Sequence, residues 1–390
     1  MTLLDRYDGV LIDLDGTVYR GQLAIPGAVP TVHAVRRAGR PVGFITNNAS
    51  RGPAEVAAQL AALGFDVEPR HVVTSAQAGA ALLAERLATG DAVLVVGTDA
   101  LADEVRAVGL TAVRRADGSL AGAARAGPAE AGKGVVQGPV QGVAQATLAG
   151  TVPGAGQGAA QAAMAGAVRG VVQGHSPSTC WSDLAEACLA IRAGALWVAC
   201  NVDPTLPTER GELPGNGAMV AALRAATELQ PLVAGKPQRR LLDQAAARLS
   251  LRRPLVVGDR LDTDVAGAHA AGMDALLVLT GVSRPAELLS APPHLRPRYV
   301  AADLTALLRP AELSEITEQP DWLVELADGT ATLSSPDDAA ARDALAALRA
   351  LCAACWSAGV VPAAVRPADD AASDALASLG LHQAGVAGRV

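Results

Sequence analysis

The sequence predicts an α/β fold built on a doubly wound parallel sheet, with a second α/β domain inserted into it and a small α/β domain after it. Three observations support this fold class. Short apolar runs end in polar residues, helical segments alternate with these runs, and a stretch of foreign composition interrupts the alternation. The chain has 390 residues, more than one average domain. Half of the residues are apolar but only 2% are aromatic, so alanine, valine and leucine must fill the cores.

The first block of the predicted sheet lies near the N-terminus. Residues 9–14 (GVLIDL) are an apolar run that ends in carboxylates, which is typical of a buried parallel strand. A helix is predicted over 31–38 and a second strand over 41–45. Pro53 occupies the position where a first helical turn would begin, and the apolar pattern that follows ends at Gly64.

A second block with the same alternation lies after residue 205. Residues 254–257 (PLVV) predict a strand that leads into Gly258 and Asp259, and a helix over 264–272 and a strand over 275–279 follow. Alternating strands and helices indicate a parallel sheet that is covered on both faces. The two blocks therefore predict a discontinuous core domain of residues 1–75 and 205–310, interrupted by an inserted domain of residues 76–204.

The middle of the inserted domain has a different composition. Residues 120–170 are nearly all alanine, glycine, valine, glutamine and proline, and the tetrapeptide VVQG at 135–138 recurs at 171–174. Such a stretch buries too little surface to offset its ordering entropy. It predicts a low-complexity insertion that is dispensable for catalysis and cleaved by trypsin at Arg125, Lys133 and Arg169. The alternative is that its Val-Val pairs form extra strands of the inserted domain.

Glycines at 154, 156 and 158 are a weak match to a dinucleotide-binding loop, because no strand precedes them. After residue 310 the pattern changes again. Residues 320–390 predict a small domain with a short strand, a turn at Asp328-Gly329, an alanine- and leucine-rich helix over 336–358 and a further α/β portion.

Two carboxylates follow the first predicted strand directly, in the segment DLDGT at 13–17. Strand alternation places Asp13 and Asp15 on the same side, at the edge of a parallel sheet where open α/β folds bind ligands. Two carboxylates this close repel each other unless a cation or a shared proton relieves them, and Mg²⁺ prefers oxygen ligands. An Asp-Gly turn with no function is the simpler alternative for this segment alone.

Further polar groups follow other predicted strands. Thr46 and Asn47 end the second strand, where a hydroxyl and backbone N–H groups can hold phosphate oxygens. Lys236 opens a helix and can neutralise a nucleophile and a phosphate together. Asp259 ends a strand and would complete a metal site, and Asp264 would brace it. Each group alone has a structural explanation, but the ordered set predicts a phosphate site.

As a set, these segments resemble the haloacid dehalogenase superfamily, in particular its NagD-like phosphatases, which carry a large α/β cap in the core. The similar segments are DLDGTVYRG at 13–21, FITNNASR at 44–51, GNGAMVAALRAAT at 215–227, GKP at 235–237 and VVGDRLDTDVAGAHAAGM at 256–273. The resemblance implies that the inserted domain is the cap and that the core is Rossmann-like.

The resemblance also implies the role of each residue. Asp13 attacks phosphorus and Asp15 is general acid and base. Thr46 and Lys236 bind phosphate. Mg²⁺ is held by Asp13, the backbone carbonyl of Asp15 and Asp259. Cap residues 175–181 and 201–203 are weak candidates for recognising the leaving group.

The whole arrangement is similar to actinobacterial proteins described as glycerol 3-phosphate phosphatases, whose C-terminal part is likened to an acetyltransferase fold. The expected partner is a small phosphorylated metabolite. The same chemistry on phosphoglycolate, pyridoxal phosphate or a nucleotide is an alternative, and so is a regulatory protein that binds through its C-terminal domain. A homo-oligomer formed through the cap or the C-terminal domain is a further expectation.

Charge and cysteine content set the remaining expectations. The formal charge of −7 provides no basic surface for nucleic acid, and no apolar run reaches the ~18 residues of a membrane helix. No signal peptide is visible, and five cysteines without a regular framework indicate reduced thiols in a cytoplasmic protein. Cys352 and Cys355 have redox spacing, but their helical context favours small core residues over redox chemistry.

Overall fold

The structure of the chain is a computed structural model. The structure describes residues 1–115, 168–208, 210–336 and 343–381. Most of the predicted low-complexity insertion lies outside the described residues, together with the first copy of the VVQG repeat and the glycines at 154, 156 and 158.

The strands, in chain order, are β1 (Gly9–Asp13), β2 (Tyr19–Arg20), β3 (Leu23–Ala24), β4 (Val42–Thr46), β5 (Val72–Thr74), β6 (Ala92–Val96), β7 (Thr111–Val113), β8 (Gly170–Gln173), β9 (Leu196–Ala199), β10 (Thr205–Thr208), β11 (Gly211–Pro214), β12 (Leu232–Val233), β13 (Pro254–Gly258), β14 (Asp274–Val278), β15 (Tyr299–Ala301), β16 (Leu323–Ala327), β17 (Thr330–Ser334) and β18 (Ala364–Pro367).

The α-helices are α1 (Ala28–Arg37), α2 (Pro53–Ala62), α3 (Ser75–Ala84), α4 (Asp99–Ala107), α5 (Trp181–Arg192), α6 (Asn216–Thr227), α7 (Arg240–Arg248), α8 (Ala266–Ala271), α9 (Pro285–Leu289), α10 (Ala344–Ala358) and α11 (Asp370–Ser378). A π-helical turn (Leu261–Val265) precedes α8. Short 3₁₀ helices lie at Leu4–Arg6, Pro69–His71, Pro293–Leu295, Leu304–Leu308 and Ala311–Leu313.

The core domain is a six-stranded sheet in the order β15-β14-β13-β1-β4-β5, and every neighbouring pair is parallel. Its central strands are buried along their whole length because both faces are covered. Strand alternation divides their side chains between two apolar layers. Leu11 packs into one layer, and Val10 and Ile12 pack into the other. The doubly wound parallel core predicted from the sequence is confirmed.

The topology of this sheet positions the predicted functional residues. Strands β13, β1 and β4 are adjacent, with β1 in the middle. Because parallel strands end at the same edge, Asp13 at the end of β1, Thr46 at the end of β4 and Asp259 just after β13 meet at one edge of the sheet. This edge is the place where doubly wound folds bind ligands.

The cap is a second parallel sheet, in the order β12-β9-β8-β6-β7. Here the structure corrects the predicted boundary at residue 204. Leu232 and Val233 form β12, which pairs with β9 and completes the cap sheet, and α6 packs on α5 of the cap. The cap therefore extends to about residue 233. A two-residue strand carries no periodic signal, so the sequence pattern could not place it.

The second VVQG copy is not part of a loop. Residues Gly170–Gln173 form β8, a buried strand that pairs with β6 on one side and β9 on the other. The alternative that Val-Val pairs within about residues 120–170 form extra strands of the cap stays a prediction, because nearly all of that stretch lies outside the described residues. The predicted end of the insertion, at about residue 170, coincides with the first residue of β8.

The C-terminal part folds as a small α/β domain. Its sheet has the order β16-β17-β18, with an antiparallel and then a parallel pairing, and α10 and α11 pack on it. Helix α10 begins after Asp343, whose carboxylate accepts a hydrogen bond from the Leu345 N–H. Trp356 joins this domain to the core, since its Nε1 donates to the Leu289 carbonyl at 3.3 Å.

Within the part of the chain that the structure describes, no helix is long and apolar enough to cross a membrane. Cys352 and Cys355 are both buried in α10 and are free thiols. Burial raises the pKa of the Cys355 thiol to about 11 and raises the pKa of the Cys352 thiol as well. Thiols that are protonated and shielded in this way are poor nucleophiles, which favours their role as core residues over redox chemistry.

Candidate active site

Three buried carboxylates form the centre of the site. Asp13, Asp259 and Asp264 each offer an oxygen, and these atoms all lie within 4.8 Å of one another. Glycine is required where the backbone approaches them. A Cβ atom at Gly258 would lie 2.1 Å from the Asp264 carboxyl carbon, and one at Gly16 would lie 2.5 Å from an Asp259 oxygen. The local sequence therefore brings the carboxylates together by leaving no side chain between them.

Lys236 supplies the positive charge of this cluster. Its side chain is only 2% exposed, and its Nζ lies 2.5 Å from Asp13 Oδ1 and 2.6 Å from Asp264 Oδ1. Burial acts to lower the pKa of the ammonium group, but the carboxylates of Asp13 and Asp264 outweigh it and raise that pKa. Lys236 therefore stays charged, and it holds one carboxylate on each side.

The charges of this cluster do not balance. Three carboxylates against one ammonium group leave a net charge of about −2, buried in protein. Burial raises the pKa of Asp13 well above its usual range, and burial together with the Asp264 charge raises the pKa of Asp259 to about 6. The excess charge and the all-oxygen donor set both fit a divalent hard cation such as Mg²⁺.

A loop that the sequence analysis did not identify supports Asp259. The Val282 N–H donates to Asp259 Oδ2 at 2.7 Å, and the Thr17 hydroxyl donates to Oδ1 at 3.3 Å. Gly281 passes so close that a Cβ atom there would lie 1.8 Å from Asp259 Oδ2. The only sequence signal for this contact is a glycine shortly after β14, which is too common to single out.

Asp15 and Thr46 face the same cavity as the carboxylate cluster. The Asp15 side chain is open to the cavity but surrounded by protein atoms. The surrounding protein atoms partly desolvate the carboxyl and raise its pKa, and the nearby Arg51 partly opposes that effect. The Thr46 hydroxyl is buried and accepts a hydrogen bond from the Asn48 N–H at 3.1 Å. Both residues lie where the sequence predicts them, but their roles stay predictions.

Asn47 is predicted to offer its backbone N–H to phosphate, while its side-chain amide is engaged with protein groups. Oδ1 accepts from the Lys236 N–H at 2.8 Å, and Nδ2 donates to the Lys236 carbonyl at 3.0 Å and to Asp203 at 3.3 Å. Phosphate binding by Asn47 thus stays a prediction for its backbone N–H alone.

The cluster opens into a cavity of about 1050 Å³ between the core and the cap. Its core side includes Arg51 and Arg260, neither of which was identified from the sequence. On the cap side, His175 and Asp203 line the cavity, whereas Trp181 is 81% exposed and is not among its lining residues. Recognition of the leaving group by these cap residues stays a prediction. Burial lowers the pKa of His175 and raises the pKa of the Asp203 carboxyl.

Comparison with known families agrees with this geometry. Residues 10–111 match the haloacid dehalogenase-like hydrolase family, and residues 233–307 match an HAD-hydrolase-like family. Residues 319–381 match a GCN5-related N-acetyltransferase-like domain. The two hydrolase matches carry the core sheet with its carboxylates and lysine, and the third covers the C-terminal domain.

Individual relatives extend the match over nearly the whole chain. The D-glycerol 3-phosphate phosphatase of Mycobacterium tuberculosis is 44% identical over 98% of this chain and 95% of its own length. The 5'-nucleotidase YutF of Bacillus subtilis is 32% identical over 72% of this chain and 90% of its own length. A crystal structure of the M. tuberculosis glycerol phosphate phosphatase with magnesium superposes with a TM-score of 0.81, covering 98% of this chain and 99% of that chain at 44% identity.

Together, the doubly wound core, the inserted cap and the carboxylate–lysine cluster define a hydrolase with a Rossmann-like core and a cap domain. The chain belongs to the haloacid dehalogenase superfamily, and within it to the phosphatases, which hydrolyse phosphoric monoesters.

Proposed function

We propose that this protein is a Mg²⁺-dependent phosphatase that hydrolyses glycerol 3-phosphate to glycerol and phosphate through an aspartyl-phosphate intermediate. The observation that carries the proposal is the buried cluster of Asp13, Lys236, Asp259 and Asp264 at the base of a cavity between the core and the cap. The choice of substrate is supported by the relative named D-glycerol 3-phosphate phosphatase, which matches nearly the full length of the chain, including the C-terminal domain.

In the first step, a carboxylate oxygen of Asp13 attacks phosphorus and the bond from phosphorus to the leaving oxygen breaks. Lys236 holds Asp13 at 2.5 Å and Asp264 at 2.6 Å, and it offers its one remaining N–H group to a phosphoryl oxygen. Asp15 donates its proton to the leaving alkoxide. Its raised pKa supports this role, because it favours the protonated form needed in a general acid.

In the second step, Asp15, now ionised, takes a proton from a water molecule that attacks the phosphoryl group on Asp13. The bond between Asp13 and phosphorus breaks, and inorganic phosphate leaves. Thr46 and the backbone N–H of Asn47 would hold the phosphoryl oxygens in both steps. The cap excludes bulk water and contacts the leaving group through His175 and Asp203.

Mg²⁺ would be held by Asp13, Asp259 and the backbone carbonyl of Asp15, with Asp264 bracing Lys236 beside it. When bound, the ion neutralises the excess charge of the carboxylates and of the phosphoryl group. Nucleophilic attack and proton transfer are carried out by side chains of the protein.

We further propose that the protein acts in the cytoplasm on a small phosphorylated metabolite, which is consistent with its five free cysteines. Self-association through the cap or the C-terminal domain is part of this proposal, and sedimentation velocity would test it. Phosphoglycolate, pyridoxal phosphate and nucleotides are the alternative substrates, and a nucleotide is favoured by the similarity to a 5'-nucleotidase.

The test is a panel of these phosphate esters, assayed with Mg²⁺ and with EDTA. We expect glycerol 3-phosphate to have the highest kcat/KM and EDTA to abolish every activity. A higher kcat/KM for another ester would change the substrate. Full activity in EDTA would contradict the metal site, and no hydrolysis of any ester would favour a regulatory protein that binds through its C-terminal domain.

A further inference from the structure

The side-chain amide of Asn47 makes two hydrogen bonds with the backbone of Lys236. Its amide oxygen faces the Lys236 N–H at 2.8 Å, and its amide nitrogen faces the Lys236 carbonyl at 3.0 Å. The two residues are 189 positions apart in the chain. The amide carries its acceptor and its donor on two separate atoms that face the two backbone groups, whereas serine and threonine have one polar atom and an ionised aspartate has no donor.

The backbone around Lys236 leaves room for this pair. A Cβ atom at Gly235 would lie 2.6 Å from Asn47 Oδ1 and 2.5 Å from the Cys200 carbonyl oxygen. The Gly235 N–H donates a hydrogen bond to the same Cys200 carbonyl at 2.8 Å. The segment that carries the lysine is therefore clamped between Asn47 and the end of strand β9.

Asn47 is itself anchored from two directions. Its backbone carbonyl accepts from the Ser75 hydroxyl at 2.5 Å and from the Asn201 amide at 2.6 Å. Ser75 is the first residue of α3, where the chain leaves the core, and Asn201 follows β9 in the cap. The Asn201 carbonyl in turn accepts from the Asn216 amide at 2.7 Å. The anchor of Lys236 thus joins both domains.

We propose that Asn47 is a positioning residue, whose side-chain amide fixes the backbone of Lys236 so that the ammonium group lies between Asp13 and Asp264. This proposal rests on the proposed function, in which Lys236 holds the nucleophile and the phosphoryl group. Asn47 acts on the reaction through the lysine, and its side-chain amide does not need to touch the substrate.

The consequence is a specific kinetic effect. The lysine is a flexible chain of four methylene groups, so its charged end is only as well placed as its backbone. A displacement of about 1 Å at a catalytic group can cost about 100-fold in rate. Loss of the Asn47 amide should therefore weaken the binding of phosphate and of its analogues, even in a protein that stays folded.

The experiment compares Asn47→Ala with Ser75→Ala in the full-length protein with Mg²⁺. Ser75→Ala is the matched control, because it also removes a hydrogen bond to Asn47 but leaves the amide pair with Lys236 intact. The measurements are kcat and KM with p-nitrophenyl phosphate, the inhibition constant of orthovanadate, and the melting temperature. This substrate makes the test independent of the natural leaving group.

For Asn47→Ala we expect kcat to fall about 10- to 100-fold and the vanadate inhibition constant to rise about tenfold, at temperatures below its melting transition. Ser75→Ala should change the melting temperature but keep the inhibition constant within about twofold. If Asn47→Ala does not fold, Asn47→Ser replaces it. Serine is uncharged and has a single, shorter polar group that cannot reach both backbone groups of Lys236, so a change in the same direction is expected.

Unchanged kcat and inhibition constant in the folded Asn47 variant would overturn the proposal. An equal kinetic loss in Ser75→Ala would also overturn it, because the effect would then be a general one of loop structure. An inactive wild-type protein would instead contradict the proposed function, so the two failures are distinguishable.

Discussion

Two buried cations, Lys236 in the core and Arg349 in the C-terminal domain, have very different surroundings. Each residue is 2% exposed. Lys236 contacts two buried carboxylates at 2.5 and 2.6 Å. Arg349 has an ion pair with Asp343 at 3.2 Å, and the Asp343 side chain is 56% exposed. Among the residues that the structure describes, Arg349 Nε and Nη1 have no hydrogen-bond partner.

The directions of their pKa shifts follow from these surroundings. The carboxylates of the site raise the pKa of Lys236, whereas burial lowers the pKa of Arg349. A buried charge is costly unless it is paired and hydrogen-bonded. In the core, two buried carboxylates therefore offset the desolvation cost of Lys236. In the C-terminal domain, the desolvation cost of Arg349 is poorly offset, because its one carboxylate partner is half exposed. A buried charge alone therefore does not indicate a functional site, whereas several buried groups of opposite charge in contact with one another do.

The largest expected effect concerns the nucleophile. Asp13→Asn should abolish turnover, because a carboxamide does not attack phosphorus, while the fold is kept. Asp15→Asn should also cripple turnover, because the leaving alkoxide loses its proton donor. The measurement is kcat with Mg²⁺ alongside a melting curve. In a crystal structure with beryllofluoride or a phosphate analogue, density should be attached to Asp13 and to no other residue. Wild-type rates in Asp13→Asn would contradict the covalent mechanism.

Replacing Lys236 and Arg349 in turn with methionine tests the difference between the two buried cations. Lys236→Met should remove activity and lower the free energy of unfolding in EDTA by about 3–5 kcal/mol, because it leaves buried carboxylates unpaired. Arg349→Met should keep full activity and change stability by less than about 1 kcal/mol, or increase it, since a partly exposed Asp343 remains solvated. Urea unfolding of both variants measures this. A large loss of stability in Arg349→Met would show that its charge is better compensated than its described contacts indicate.

Much of the candidate active site was predictable from the sequence, because most of its residues directly follow predicted strands. Asp13, Thr46 and Asp259 each follow an apolar strand, so their meeting at one sheet edge needs only the parallel topology. The pairing of Asn47 with Lys236 and the support of Asp259 by Val282 depend on long-range approach of the backbone, which leaves no periodic signal. The same is true of β12, whose two residues belong to the cap only through their pairing with β9.

A smaller effect is expected from pH and metal, through Asp259. Its pKa in the metal-free folded protein is raised to about 6, above the ordinary 3.8. The folded state therefore binds a proton more tightly than the unfolded state, and stability in EDTA should fall as pH rises from about 4 to about 6, by up to about 3 kcal/mol. The raised pKa of Asp13 acts in the same direction.

Mg²⁺ competes with these protons, so it should raise the melting temperature more at pH 7.5 than at pH 5. Thermal unfolding at both pH values, with Mg²⁺ and with EDTA, measures the effect. Asp259→Asn is the control, because it should lose most of the Mg²⁺-dependent stabilisation and raise the Mg²⁺ requirement of turnover strongly. An equal Mg²⁺ effect at both pH values in the wild-type protein would contradict the carboxylate metal site.

The smallest effect is expected from the low-complexity insertion, and the cap topology defines how to test it. Strands β7 and β8 are parallel and lie on opposite sides of β6, so the chain between them must make a crossover. Such a connection needs about a dozen residues or more. Arg169 already belongs to the sheet, since its N–H donates to Ala92 and its carbonyl accepts from Leu196. We therefore expect tryptic cleavage at Arg125 and Lys133, whereas the hydrogen bonds of Arg169 argue against the cleavage predicted there.

Two deletions separate a dispensable insertion from a necessary crossover. Removing residues 122–160 leaves 114–121 and 161–169 as the connection, and kcat and KM should stay within about threefold, because loop closure costs only ~0.6 kcal/mol per doubling of length. Removing residues 120–170 also removes Gly170 of β8 and shortens the crossover, so it should lower the melting temperature and impair the cap. Both variants are compared with the wild-type protein by kinetics and thermal unfolding. The alanine- and glycine-rich composition of the insertion predicts that it forms no part of the cap. A loss of kcat above about tenfold in the shorter deletion would contradict this prediction.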